Sequence, residues 1–262
     1  MKNVIFFDID GTLITEDDKM LIPDSTRTAI ARTREKGNLT FINTGRTRFN
    51  VSPQVLSLGF DGILCGCGTY IEYSGENILY HTQSRPECDR IADALRRAGV
   101  TPVYEHRDGY FFDDSAVHDP LVDHFREYFV PKGIRTDRQP EDPDFAFDKF
   151  VYWVSEQTDY DILGSEIAPY FDIIDRGGRF YECVPKGFSK ATAIDVILRH
   201  TGVSTDNSYA IGDSLNDLPM LEAVPNSIAM GGAEKLYPYV SYITAPLLSD
   251  GIFKALEHFG LL

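Results

Sequence analysis

Solid apolar blocks mark both ends of the chain. Val4-Ile5-Phe6-Phe7 is short, β-rich and uninterrupted, the pattern of a strand buried on both faces. Leu39 to Ile42 and Ile63 to Cys65 repeat it. Between the first two, Asp24 and Ser25 after Pro23 predict the cap of a helix that runs to Glu35 and stops at Gly37. Tyr70 to Tyr73 and Ile78 to Tyr80 predict a hairpin. Towards the C-terminus the same grammar returns. Lys190 to Arg199 predicts a helix with Ala193, Ile194, Val196, Ile197 and Leu198 on its apolar side. Ser208 to Ile211, Ile228 to Met230 and Val240 to Ile243 predict strands, and Asp217 to Ala223 a helix. Strands alternating with helices imply a parallel α/β sheet.

The middle reads differently. Ser84-Arg85-Pro86-Glu87 opens a helix to Ala98 with a capping box. Aromatic-rich strands at Gly109 to Phe112, Phe147 to Val154 and Phe180 to Val184 are separated by helical stretches near 119–129 and 159–169. These strands alternate sides and lack solid apolar blocks. The expected organisation is therefore residues 1–82 and 185–262 forming one parallel-sheet domain, with residues 83–184 inserted into it as an α+β domain.

Charge narrows the function. Lys plus Arg number 25 and Asp plus Glu 40, a net charge of −15. Without a basic run, such a chain repels nucleic acid and anionic membrane. No apolar run approaches the roughly 20 residues of a membrane helix. Asp8 interrupts the apolar N-terminus before it could serve as a signal peptide, so the expected location is the cytoplasm. Cys65 and Cys67 lack the second pair or the histidines that a zinc site needs, and Cys88 and Cys183 stand apart.

Chemistry concentrates where strands end. Asp8-Ile9-Asp10-Gly11-Thr12 follows the first strand. Residues two apart on extended backbone point the same way, so both carboxylates can face one site, and Gly11 lets the chain turn past it. One carboxylate can attack or hold a metal while the other exchanges protons. The second strand ends in Asn43-Thr44-Gly45-Arg46, whose hydroxyl and glycine amide suit an anion. After Tyr209 to Ile211 comes Gly212-Asp213-Ser214-Leu215-Asn216-Asp217, and Lys190 opens the helix before that strand. In open parallel sheets these strand ends share one crevice. Oxygen ligands without His or Cys select a hard cation, Mg²⁺.

These motifs resemble the haloacid dehalogenase superfamily over nearly the whole chain, and within it the Cof-type sugar-phosphatase branch. Its D-x-D-G-T stands as Asp8 to Thr12, its T-G-R as Thr44 to Arg46, its helix-opening Lys as Lys190, and its G-D-x-x-N-D as Gly212, Asp213, Asn216 and Asp217. The branch's A-M-G-x-A appears at Ala229 to Ala233 and its D-G-I at Asp250 to Ile252. Two positions depart: Cys67-Gly68-Thr69 stands where Asn-Gly-Ala is usual, and Ala191 where Gly often follows the Lys. The resemblance implies an α/β fold, a Rossmann-like doubly wound parallel-sheet core with an inserted α+β cap domain of the C2 type (IIB). It implies a Mg²⁺-dependent phosphatase in which Asp8 attacks phosphorus to form an aspartyl phosphate. Asp10 would then be general acid and base. Asp8, the Asp10 carbonyl and Asp213 would hold the metal, with Asp217 behind them as orienter. Thr44, Gly45, Lys190 and Asn216 would bind the phosphoryl oxygens. The implied partner is a small phosphorylated metabolite of the sugar-phosphate class, handled by a monomer or small homo-oligomer.

Two rival functions remain. A phosphomutase of the same superfamily would return the phosphoryl group to substrate, and a non-catalytic sensor would only bind a phosphometabolite. Intact Asp8, Asp10, Lys190 and Asp213 argue against the sensor. Arg46 either contacts the leaving group or cap, or pairs with an acid at the surface. The segment Asp175 to Glu182, with Gly177 and Gly178 at its turn, is either a solvated hairpin tip or a presenter of Arg and Glu side chains over the core. Because the core motifs address only what all monoesters share, Arg176, Arg179 and Glu182 are expected to include the leaving-group readers.

Overall fold

The computed structural model describes residues 2–17 and 19–262; Met1, which begins the apolar N-terminal run, lies outside them. Among the described residues the chain forms thirteen strands. They are β1 (Val4–Phe7), β2 (Leu39–Asn43), β3 (Gly62–Cys65), β4 (Tyr70–Tyr73), β5 (Glu76–Tyr80), β6 (Thr101–His106), β7 (Gly109–Phe112), β8 (Lys149–Trp153), β9 (Phe171–Asp175), β10 (Phe180–Pro185), β11 (Ser208–Gly212), β12 (Asn226–Ala229) and β13 (Tyr242–Ile243). The chain divides into two compact units: Met1–Arg46, Val51–Tyr80 and Phe188–Leu262 form one, Thr47–Asn50 and His81–Gly187 the other.

The first unit is built on an eight-stranded sheet in the order β13-β12-β11-β1-β2-β3-β4-β5. Pairing is parallel from β13 through β3, and β4 and β5 add an antiparallel hairpin at one edge. Period-two alternation divides the apolar blocks between the two faces. Ile5 and Phe7 enter a core with the helices Asp24–Glu35 and Gly251–His258, while Val4 and Phe6 enter another with the helices Lys190–Thr201 and Leu218–Glu222. Helices on both faces make the sheet doubly wound, as expected. From β1 the chain steps outward to β2 and β3, but it returns on the other side of β1 as β11. The winding direction therefore reverses between β1 and β11, the kind of switch point that opens a crevice at the carboxyl ends of the strands. The helix at Asp24 starts from Pro23 without a side-chain cap, so Asp24 lies inside its first turn. The C-terminal helix Gly251–His258 is an addition to the elements expected.

The second unit has a five-stranded antiparallel sheet in the order β7-β6-β8-β10-β9. Two of these strands, β6 and β9, were not anticipated. The expected one-sided burial is also corrected: β7 and β8 are buried along their whole length, as is β6 up to Glu105. One face, with Tyr104, Phe150, Tyr152 and Cys183, packs on the helix Arg85–Arg97. The other, with Val103, Tyr110, Val151 and Trp153, packs on the helix Pro120–Phe129. The stretch near 159–169 is one α-helical turn, Tyr160–Ile162, running into a π-helical turn, Leu163–Ile167.

Candidate active site

Asp8 stands at the carboxyl end of β1, its amide donating to the Ile211 carbonyl at 3.0 Å. That bond carries the β1–β11 ladder one step past the strand and sets Asp8 at the switch point. Lys190, first residue of its helix, is held from two sides. Ser189 caps the helix and exchanges hydrogen bonds with Thr192, and the Asn43 amide donates to the Lys190 carbonyl at 2.9 Å. The Lys190 ammonium donates to Asp8 Oδ1 and to Asp217 Oδ1, each at 2.5 Å. Asp217 is fully buried, and its Oδ2 accepts from the Asp213 amide at 2.9 Å and the Ser214 amide at 3.2 Å. Asp217 thus spends both oxygens on positioning its neighbours.

Asp213 completes an acidic trio. One carboxylate oxygen each from Asp8, Asp213 and Asp217 lies within 4.8 Å of the others. Glycine at residue 11 leaves room for this placement of Asp213. Gly11 has φ +72°, and a Cβ there would lie 2.2 Å from Asp213 Oδ2. Thr12 Oγ1 donates to Asp213 Oδ1 at 3.3 Å. A cleft of about 350 Å³ opens beside Asp213, lined in part by Gly11, Glu16, Met230 and Leu247.

The charges here are under strain. Burial and the Asp217 charge push the Asp8 pKa up to about 7 against the pull of Lys190. Burial, then Asp217 and Asp8, push Asp213 up to about 8. Burial penalises the Lys190 ammonium, yet Asp217 and Asp8 beside it raise its pKa above the ordinary lysine value. Three acids share one ammonium in a buried place, so a divalent cation would relieve the remaining repulsion. An all-oxygen donor set suits a hard cation. With Asp217 committed to Lys190 and two amides, Asp8 and Asp213 are the side chains left to hold it.

The rest of the crevice comes from β2 and β3. Thr44 is buried, its amide bonded to the Leu64 carbonyl at 2.9 Å. Gly45 follows it half-buried in the same loop. Cys67, which stands where the related branch often carries Asn, has left-handed backbone (φ 54°, ψ 38°), a conformation that Asn tolerates better than most side chains. Its amide donates to the Thr44 carbonyl at 3.2 Å. At Gly68 a Cβ would lie 2.8 Å from the Ser189 carbonyl. The 66–69 loop therefore ties the Thr44 loop to the start of the Lys190 helix, a role not foreseen from the sequence. Asn216 is half-buried, its Oδ1 accepting from the Ser214 hydroxyl, so that its NH₂ is the part of the side chain that can donate. Asp10 is 42 % exposed, and its carboxylate is gripped by Arg46.

Arg176, Arg179 and Glu182 belong to the second unit. Gly177, Gly178 and Arg179 all have positive φ, so the turn is tight. Arg176 donates from Nε to Glu182 Oε2 at 2.8 Å. Arg179 donates to the Val154 carbonyl at 3.0 Å and pairs with Asp119 at 3.3 Å. Glu182 is not a free reader but a member of a buried cluster. Lys149, also buried, donates to Glu182 at 2.7 Å and to Glu105 at 3.0 Å. Burial alone would raise the Glu182 pKa, but Lys149 and Arg176 outweigh it and hold it down at about 2. Glu105 and Lys149 escaped notice in the sequence. The available signal was a charged residue inside each of two aromatic strands.

Comparison with known proteins identifies the family. Residues 5–256 match the haloacid dehalogenase-like hydrolase family. The chain is 30 % identical over 270 residues to YkrA of Bacillus subtilis (strain 168), whose name provisionally makes it a phosphatase; the match covers 100 % of this chain and 99 % of YkrA. It is 29 % identical to pyridoxal phosphate phosphatase YbhA of Escherichia coli (strain K12), over 88 % of each. Among solved structures, the subclass IIB sugar phosphatase BT4131 superposes with a TM-score of 0.81 at 27 % identity, covering 100 % of both chains. Among the described residues, no helix is long and apolar enough to cross a membrane. From the strand-end motifs, the doubly wound sheet and a match spanning nearly its whole length, the chain belongs to the haloacid dehalogenase-like hydrolases, as a Cof-type member.

Proposed function

We propose that this hydrolase removes phosphate from small metabolite monoesters, sugar phosphates among them, with Asp8 as nucleophile and Mg²⁺ as cofactor. The observation that carries the reading is the Asp8–Lys190–Asp217 chain at the β1/β11 switch point, with Asp213 beside it. Lys190 holds one Asp8 oxygen and leaves the other to attack phosphorus. As the Asp8–phosphorus bond forms, the ester oxygen leaves and takes a proton from Asp10. Deprotonated Asp10 then removes a proton from water, whose oxygen attacks the aspartyl phosphate, releasing inorganic phosphate and restoring Asp8. Lys190, Thr44, the Gly45 amide and Asn216 hold the phosphoryl oxygens through both steps. Asp8, Asp213 and the Asp10 carbonyl would bind Mg²⁺, which supplies positive charge against the repulsion between a carboxylate and a phosphate dianion. Phosphate release should vanish in chelator and return with Mg²⁺. Ca²⁺ should inhibit, because it favours 6–8 oxygens and bidentate carboxylates, which would occupy the attacking oxygen. Full activity in chelator, or equal activity with Ca²⁺, would refute the metal.

Selectivity we assign to the inserted unit, through Arg176 and Arg179, with Glu182 holding Arg176 in place rather than reading the ester itself. Arg176→Ala and Arg179→Ala should each shift kcat/KM about tenfold for some esters in a panel of sugar phosphates, pyridoxal phosphate and p-nitrophenyl phosphate, the last changing least. An unchanged ranking of substrates would remove both residues from that role. The panel also separates hydrolysis from mutase chemistry, since a mutase yields an isomer rather than free phosphate.

A further inference from the structure

The sequence left Arg46 either contacting the leaving group or cap, or pairing with an acid at the surface. It does pair with an acid, and that acid is Asp10. The backbone of Arg46 is tied down on both sides. Its amide donates to Thr44 Oγ1 at 3.1 Å, and its carbonyl accepts from the Gly66 amide at 2.8 Å. From this anchored position the guanidinium closes on Asp10 as a fork. Nε donates to Oδ2 at 2.9 Å and Nη2 donates to Oδ1. The Arg46 side chain is 19 % exposed and that of Asp10 42 %.

A half-exposed ion pair contributes little to stability. What a two-point fork contributes is orientation, because two parallel bonds fix the plane of the carboxylate where one bond leaves it free to turn. A carboxylate offers about four lone-pair sites. The fork takes two and leaves capacity on each oxygen for a proton. The same loop that carries Thr44, assigned above to the phosphoryl oxygens, thus carries the clamp on the carboxylate assigned to exchange that proton. Registration between the two is built into three consecutive residues.

We propose that Arg46 is a positioning residue, whose guanidinium fork holds the Asp10 carboxylate in the orientation in which it exchanges protons during phosphoryl transfer to and from Asp8. The inference rests on the roles proposed above for Asp8 and Asp10. It makes Arg46 act through Asp10 rather than on the substrate, so its loss should fall on proton-dependent steps. Release of p-nitrophenolate needs no proton, whereas release of an alkoxide does. Water attack on the aspartyl phosphate needs a base whatever the ester was.

The test is rapid-mixing kinetics of Arg46→Gln with Mg²⁺, using p-nitrophenyl phosphate and glycerol 1-phosphate. With p-nitrophenyl phosphate, the variant should show a burst approaching one nitrophenolate per protein. Steady turnover should then be about 10- to 100-fold below the parent, the scale of a misplaced catalytic group. With glycerol 1-phosphate, turnover should fall at least as far and show no burst of glycerol. KM should move less than about threefold for either ester. Arg46→Lys keeps the charge but not the fork, and should lie nearer to Arg46→Gln than to the parent. Parent-like turnover of both esters overturns the clamp. So does a shared rise in KM at unchanged kcat, which would make Arg46 a direct substrate contact, and so does a uniform loss without a burst, which would make its role merely structural. Asp10→Asn in the same experiment keeps the two claims apart. If it turns over like the parent, the acid–base reading itself fails; if it is slow while Arg46→Gln is not, only the clamp fails.

Discussion

Asp8→Asn should lower turnover by at least roughly 10⁴-fold, as removal of a covalent nucleophile does, without lowering the melting temperature. The two halves of this expectation have one cause. Asp8 is 4 % exposed, and burial with the Asp217 charge raises its pKa from 3.8 to about 7. A carboxyl whose folded-state pKa is raised binds its proton more tightly when folded. Its favourable contribution is therefore full below pH 3.8 and declines as pH rises to about 7. Above that range the ionised Asp8 is a burden on the fold. The amide removes the burden while Asp217 still holds Lys190, so metal-free Asp8→Asn should melt at or above the parent at pH 8. Mg²⁺ should stabilise the parent more than the variant, since binding to the native state stabilises in proportion to affinity. A variant within tenfold of parental turnover would dismiss Asp8 as nucleophile. A clearly lower melting temperature would show that the charge is structural.

The second large effect lies in the other unit. Lys149→Met should destabilise the protein by about 3–5 kcal/mol, the usual cost of leaving buried charges without their partner. Lys149, Glu105 and Glu182 have side chains only 4 %, 8 % and 5 % exposed. Removing the ammonium leaves two buried carboxylates facing each other, with Arg176 still paired to Glu182. Glu105→Gln/Lys149→Met/Glu182→Gln should regain most of the loss, because removing a buried set together costs far less than breaking it. Urea unfolding of the full-length chain measures both. A loss under about 1 kcal/mol for Lys149→Met would mean that water reaches the cluster. Acid acts on the same group: with its pKa held down at about 2, Glu182 stabilises fully above its ordinary 4.5 and loses that contribution as pH falls towards 2.

How legible all this was depends on the kind of strand. β1, β2 and β11 are buried on both faces, so they read as apolar runs and their ends are marked where polarity returns. That is why Asp8, Thr44 and Asp213 could be found as strand-end residues, and why Asp8 and Asp213 could be expected to meet once the sheet was taken as parallel. The middle was harder. Thr101-Pro102-Val103-Tyr104-Glu105-His106 carries a proline and a charge and shows no apolar block, yet it forms the buried strand β6. Its Glu105 is tolerable there only because Lys149, 44 positions away, lies opposite in register. β9 is an edge strand with acids at positions 172 and 175, which reads as a loop. Nothing local announces a charge satisfied from another strand, and this also hid the Arg46–Asp10 fork, whose partners are 36 positions apart.

The place of β1 in the sheet bears on how the chain can be assembled. β1 is central, and one of its two neighbours, β11, pairs Val4 with Ser208. The Asp8–Lys190 contact spans 182 positions. During synthesis the first strand must therefore stay unpaired on one edge until more than two hundred residues have emerged. Such long-range parallel pairing is slow, and an unpaired apolar strand invites association with other chains meanwhile. The second unit suffers no such delay, because all of its sheet lies between His81 and Gly187. A nascent chain truncated before β11 can complete the inserted unit's sheet but cannot assemble the cluster of Asp8, Lys190, Asp213 and Asp217, since its last two acids have not been made.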